Sequence, residues 1–138
     1  MRVTPDNVTD DIIYELAFML RALKYETEHD KSLFLIDNYI SYIKIKISNS
    51  LVWFISGGGF MIIDVVEDTL LKPEHSIVHV ISHIFVYPEK RKTSSVYARL
   101  IKHAQNIESS VIGFTYKDSD HNTVLQKRYK VLGTIYGN

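Results

Sequence analysis

Apolar residues recur at helical spacing in two stretches near the start of the chain. Further on they alternate or run together. Ile12, Leu16, Met19, Leu20 and Leu23 form one stripe and predict a helix. Thr9 is placed to cap it, with Asp10 and Asp11 in the first turn, where carboxylates sit favourably against the positive end of the helix dipole. Leu33, Ile36, Ile40, Ile43 and Ile47 form a second stripe, which predicts a helix starting near Asp30 and ending at Asn49-Ser50. Its tail, Ile43-Lys44-Ile45-Lys46-Ile47, also alternates with a period of two and so reads as strand as well. Both stripes are expected to face the core, because an amphipathic helix normally packs on its own domain.

Residues 51–55 (Leu-Val-Trp-Phe-Ile) read as a strand, Gly57-Gly58-Gly59 as a tight turn and residues 60–66 as the hairpin partner. A long apolar strand is expected from Ile77 to Val86, followed by a helix over residues 94–106 and a buried strand over 111–116. A polar loop over 117–121 leads to a last helix over 122–132, stopped by Gly133, and Thr134-Ile135-Tyr136 has the pattern of a short final strand. Strand, helix, strand across residues 77–116 implies a parallel pair. The fold class expected is therefore α/β (α+β). It combines a mixed, mostly antiparallel sheet with helices on both faces and one parallel strand–helix–strand unit, in a single domain spanning residues 1–138.

Composition changes this picture little. An apolar fraction of 46% is that of a folded globular chain, and acids and bases balance at sixteen each. A neutral chain gives no electrostatic reason to expect a nucleic-acid partner or an anionic membrane. There is no cysteine, which excludes disulfides, thiolate metal sites and a cysteine nucleophile. The first residues lack an apolar signal region, and no apolar run approaches the ~18 residues of a membrane span. The expected location is the cytoplasm.

Charge stands out locally. Glu89-Lys90-Arg91-Lys92 joins the long strand to the helix opened by Thr93-Ser94-Ser95. Cations just before a helix N-terminus are disfavoured by roughly 0.3–1 kcal/mol each, so three of them make sense if an anion sits among them. The bland alternative is a solvated basic turn. By contrast, Gly57-Gly58-Gly59 lies in a hairpin and not between strand and helix, so it is a turn and not a phosphate loop.

Two stretches carry a resemblance. Val86-x-Pro88-Glu89-x-Arg91, followed by a serine-rich helix start and Leu100-Ile101, resembles the V-x-P-x-x-R-G-x-G-x-G motif of the GNAT superfamily of acyl-CoA-dependent N-acyltransferases. Asn122 with Tyr129-Lys130-Val131-Leu132-Gly133 resembles its N-x-x-A-x-x-L-Y-x-K-L-G-F signature. The chain departs from the family at the loop glycines, which are here Lys92, Ser94 and Val96, and at Leu125, Arg128 and Thr134 of the second motif. Little sequence follows Gly133, so a further family strand is not expected. The sheet edge near residues 111–116 would then be open to a second copy or another partner.

The resemblance implies acetyl-CoA as co-substrate and an amine as acceptor, either a small molecule or a protein. It implies cofactor-binding roles for Phe85, Val86 and Tyr87 through a backbone bulge or splay. Arg91, Lys92, Thr93, Ser94, Ser95 and Val96 are implied around the pyrophosphate, and Asn122 as a further contact. Asn122 also serves as a helix cap on the plainer reading. Tyr129 is implied as the acid that protonates the departing thiolate, against the plainer role of packing the last helix. A phenol near pKa 10 remains protonated for that task at neutral pH. For the base, His79 and His83 are four residues apart, hence expected on one strand face with Ile77, Ile81 and Phe85. Imidazole suits base work near neutrality. The family's usual positions nearest them fall at Val80 and Ser82, on the opposite face. No third ligand makes the two histidines a metal site. The function expected is N-acetyl transfer from acetyl-CoA to an amine. The alternative is a catalytically inactive GNAT-fold binding or structural protein, similar to some phage-encoded assembly or virion components.

Overall fold

The computed structural model of this chain describes residues 1–27, 35–67, 77–92, 95–107 and 112–114. A sheet of five strands in sequential order separates two apolar layers. The strands are β1 (Arg2–Val3), β2 (Leu51–Ile55), β3 (Gly59–Glu67), β4 (Ile77–Val86) and β5 (Ile112–Phe114). Neighbours from β1 to β4 run antiparallel, and β4 pairs with β5 in parallel, as the strand–helix–strand order requires. Helices α1 (Asp10–Thr27) and α2 (Ile36–Asn49) cover one face and α3 (Val96–Gln105) the other. No helix of the described residues is long and apolar enough to cross a membrane.

The α1 stripe lies as expected: Leu16, Met19, Leu20 and Leu23 are buried, with Ile13 and Ala17 beside them and Ile12 only partly covered. Thr9 Oγ1 accepts from the Ile12 N–H at 3.3 Å, satisfying a donor that has no partner within the helix. Two expectations are corrected. Helix α2 starts at Ile36, because Leu35 before it is extended (φ −80°, ψ 132°), and Asp30 and Leu33 lie outside the described residues. The second concerns β1, which is absent from the expected elements because two residues are too short to show an alternation. It pairs Arg2 with Trp53 and Val3 with Val52. The ambiguous tail of α2 is helix, with Ile43 and Ile47 buried one turn apart while Lys44 and Ile45 face out. Helical spacing wins because four-residue periodicity buries both isoleucines on α1 and the sheet.

Alternation along the strands divides the core. Val52, Phe54, Phe60 and Ile62 face α1 and α2, while Trp53, Met61 and Ile63 face α3. Helix α3 contributes Val96, Tyr97, Leu100, Ile101 and Ala104, a stripe that leaves Ala98 and Arg99 in solvent. Each large side chain fully buried in this way stabilises the fold by roughly 1.5–3 kcal/mol relative to exposure. The expected last helix and strand, over residues 122–132 and 134–136, lie outside the described residues, and β5 ends the described sheet.

The hairpin turn holds β3 close to β4. A Cβ on Gly59 would stand 2.2 Å from the Phe85 carbonyl oxygen, a backbone atom that cannot swing aside. Gly59→Ala is therefore expected to lower stability by about 1–3 kcal/mol, read as an earlier urea midpoint with an unchanged slope. A midpoint equal to that of the unsubstituted chain would show that the strands separate at no cost.

Candidate active site

Strand β4 does not keep its alternation. It pairs His83 with Ile62 and Ile81 with Ile63, so Ser82 is one residue more than β3 has to match. Such a bulge turns the chain by one position. Ile81 and, beyond the bulge, Ile84 and Val86 all face α3, although their numbers differ in parity. Ser82 bonds the Ile62 carbonyl at 3.3 Å, and His83 and Phe85 lie on the α1–α2 side. The two histidines expected on one face are thus on opposite faces. His79 shares the α3 side with Ile81, and its Nδ1 is buried without a hydrogen-bond partner. His83 joins Ser82 on the other side. The expectation failed because four residues preserve the face of a strand only when no bulge lies between them.

His83 closes the floor of a cleft of about 290 Å³ whose walls are Leu20 and Lys24 of α1 and Asn38, Tyr39 and Tyr42 of α2. It is 7% exposed. Its Nε2 lies 3.0 Å from Tyr42 Oη, and the two rings meet edge to face. Burial, with the Lys24 charge adding and Asp64 opposing, pushes the imidazole down to about 4, so it is neutral at physiological pH.

Behind Tyr42 the polar chain continues. Lys46 stands one turn further along α2, with its ammonium 5.3 Å from the centre of the Tyr42 ring. Lys46 Nζ donates to both oxygens of Asp64, at 3.0 and 3.2 Å, and Ser50 Oγ donates to the same carboxylate. Burial would raise the Asp64 carboxyl. Hydrogen bonds from Ser50, Lys46 and Ser82 outweigh it and hold the group below the usual range. Burial raises Tyr42, partly offset by Lys46. None of Tyr42, Lys46, Ser50 or Asp64 stood out in the sequence. The available signal was Asp64, an acid inside the apolar run of β3, and the four-residue step from Tyr42 to Lys46.

The basic turn is built differently from its expectation. Pro88–Lys90 forms a single 3₁₀ turn. Arg91 turns back onto the protein: Nε donates to the Val86 carbonyl at 2.8 Å, Nη2 to Glu26 of α1 at 2.6 Å, and the guanidinium lies 5.4 Å from the Phe85 ring centre. It fastens the turn to α1. Lys90 and Lys92 are exposed. The Tyr87 N–H donates to the Gly58 carbonyl at 2.9 Å. Phe85 and Val86 pair with Phe60 and Gly59 of β3, whereas the described β4–β5 pairing covers only residues 79–81 of β4. Ser95 precedes α3 as its cap residue. Val96 is 6% exposed, its side chain packed in the α3 core. Thr93, Ser94, Asn122 and Tyr129 lie outside the described residues.

No protein-family model and no curated protein sequence matches the chain. Solved structures do. A possible acetyltransferase from Clostridium difficile 630 superposes over 95% of this chain and 93% of its own, at 12% identity and a TM-score of 0.67. A ribosomal-protein-alanine N-acetyltransferase from Brucella melitensis biovar Abortus 2308 covers all of this chain and 93% of its own, at 12% identity and 0.64. An aminoglycoside N-acetyltransferase in complex with CoA covers 90% and 88%, at 16% identity and 0.52. The chain shares the fold of these acetyltransferases, the α+β arrangement that the GNAT resemblance implied.

Neutral His83 leaves a mark on stability. Between pH 6.5 and about 4 the unfolded chain binds a proton that the folded chain refuses. The resulting stability is fully present above pH 6.5 and is lost as pH falls toward 4, at about 1.4 kcal/mol per pH unit inside the window. The charged and titratable groups facing the imidazole are Lys24 of α1, Tyr39, Tyr42 and Lys46 of α2, and Asp64 of β3. In urea titrations at pH 4.5 and 7, His83→Gln is expected to flatten this dependence relative to the parent chain. An identical slope in both would refute a buried neutral imidazole.

Proposed function

We propose that the chain transfers the acetyl group of acetyl-CoA to an amine held in the cleft between α1, α2 and β4. The observation that carries this reading is the bulge at Ser82. It sets a neutral imidazole and a phenol, 3.0 Å apart, into the floor of a cleft on a strand that continues to the turn before α3. The fold and the solved acetyltransferases that share it supply the reaction class.

Two features of this chain suit the co-substrate. Lys92 stands exposed at the turn, where it can meet phosphate charge. The α3 N-terminus adds the positive end of a helix dipole. The Val96 side chain, at the family's third glycine, packs in the α3 core. Arg91 acts indirectly, bracing the turn against Glu26.

An amine attacking a thioester carbonyl must shed a proton, and that proton becomes far more acidic once the nitrogen is bonded to the carbonyl carbon. The neutral imidazole of His83 can receive it transiently, since burial makes it a weak base that gives the proton up again. The departing thiolate needs a proton in return, and Tyr129 is the group we assign to that step. The acceptor is an amine small enough, or on a segment thin enough, for its nitrogen to enter a cleft of about 290 Å³.

Acetyl-CoA titrated calorimetrically into the full chain is expected to bind, and absence of heat up to millimolar ligand would end this reading. Lys92→Ala is expected to weaken binding by roughly 3–10-fold, as loss of one exposed phosphate contact does. With an amine that serves as acceptor, His83→Gln should lower kcat by about 100-fold while leaving acetyl-CoA affinity nearly intact.

A further inference from the structure

The polar chain behind the cleft joins the phenol that lines it to a buried imidazole. Tyr42 Oη lies 3.0 Å from His83 Nε2, and both residues line the cleft. Lys46 donates to Asp64, and its ammonium stands 5.3 Å from the centre of the Tyr42 ring. A phenol has one proton to donate, and a neutral imidazole that accepts it at Nε2 carries its own proton on Nδ1. In that arrangement neither nitrogen of His83 has a lone pair to offer an amine, whereas the phenol oxygen does.

We infer that Tyr42 is the residue that meets the acceptor's proton, taking it at Oη while handing its own proton to His83 Nε2. This rests on the acetyl-transfer reading above. The step balances. The nitrogen newly bonded to the acetyl carbon loses one N–H bond, a new Oη–H bond forms as the old one breaks, and an Nε2–H bond forms on His83. The imidazole becomes an imidazolium with a proton on each nitrogen, Tyr42 ends as it began, and no oxidant or reductant is involved.

Lys46 and Asp64 are positioning residues in this scheme. The Lys46 cation stabilises negative charge on the phenol oxygen at the moment its proton leaves, and Asp64, held by Ser50 and Lys46, fixes where that cation stands. The imidazolium so formed sits in surroundings that favour its neutral form, so it returns the proton readily and the site is reset.

Two measurements test this on the full chain. In ¹⁵N-histidine-labelled protein at pH 7, long-range proton–nitrogen correlation reports which nitrogen of His83 bears the proton. Expected are the Nδ1–H tautomer in the parent chain and loss of that preference in Tyr42→Phe, which keeps the ring packed on His83. Lys46→Met should weaken the preference. An Nε2–H tautomer in the parent chain overturns the relay, and needs no variant to fold. In turnover with acetyl-CoA and an acceptor amine, Tyr42→Phe should lower kcat by about 100-fold with KM within about twofold, and Lys46→Met by about 10-fold. A kcat for Tyr42→Phe near that of the parent, in a chain that binds acetyl-CoA, overturns the relay and leaves the acetyl-transfer reading standing. A parent chain that does not bind acetyl-CoA overturns both.

Discussion

The candidate site depends on one extra residue in one strand. Without Ser82 as a bulge, the alternation of β4 would carry His83 to the α3 side with Ile81, among Trp53, Met61 and Leu100. An imidazole there would meet only apolar neighbours. The bulge rotates the strand so that His83 and Phe85 enter the α1–α2 side, while Ile84 and Val86 remain available to hold α3. A bulge leaves backbone groups out of register, and the Ser82 hydroxyl partly offsets this by bonding the Ile62 carbonyl at the point where the ladder slips.

Once His83 is on that side, the electrostatics follow from burial. A lone imidazole with little access to water prefers to be neutral, and the nearby ammonium groups of Lys24 and Lys46 reinforce the preference. Asp64 moves the opposite way although it too is partly buried, because Ser50, Lys46 and Ser82 give its charge hydrogen bonds to replace water. The site therefore holds a carboxylate kept ionised and an imidazole kept neutral, with a tyrosine between their partners. Separating the protonation preferences of neighbouring groups in this way is what proton-transfer chemistry requires.

The turn after β4 shows how one residue type serves two ends. Three cations before a helix invite an anion, yet Arg91 is spent on the protein itself, joining the Val86 carbonyl to Glu26 across the top of α1. Its planar guanidinium can hold a carbonyl, a carboxylate and an aromatic face together, which a lysine cannot. Lys92, exposed at the end of the described turn, lies on the solvent side of this brace. At the first turn of α3 the β-branched Val96 side chain turns inward and packs under the hairpin.

The amino-acid sequence alone determined the elements and their order. Helical spacing of Leu16, Leu20 and Leu23, the continuous apolar run of β4 and the glycine turn before β3 are local patterns, and local patterns survive in one dimension. With the motif around Val86–Arg91 they sufficed for the fold class and the parallel crossover. What only the tertiary structure decided is which side chains meet. Tyr42, Lys46 and Asp64 lie 4 and 18 residues apart along the chain, yet Tyr42 bonds His83, Lys46 bonds Asp64, and the Lys46 ammonium lies beside the Tyr42 ring. That arrangement exists because α2 packs across β3 and β4, and because β4 slips by one residue against its neighbour. The slip is a property of two strands together, so the sequence of β4 by itself placed His79 and His83 on one face, and the sheet placed them on two.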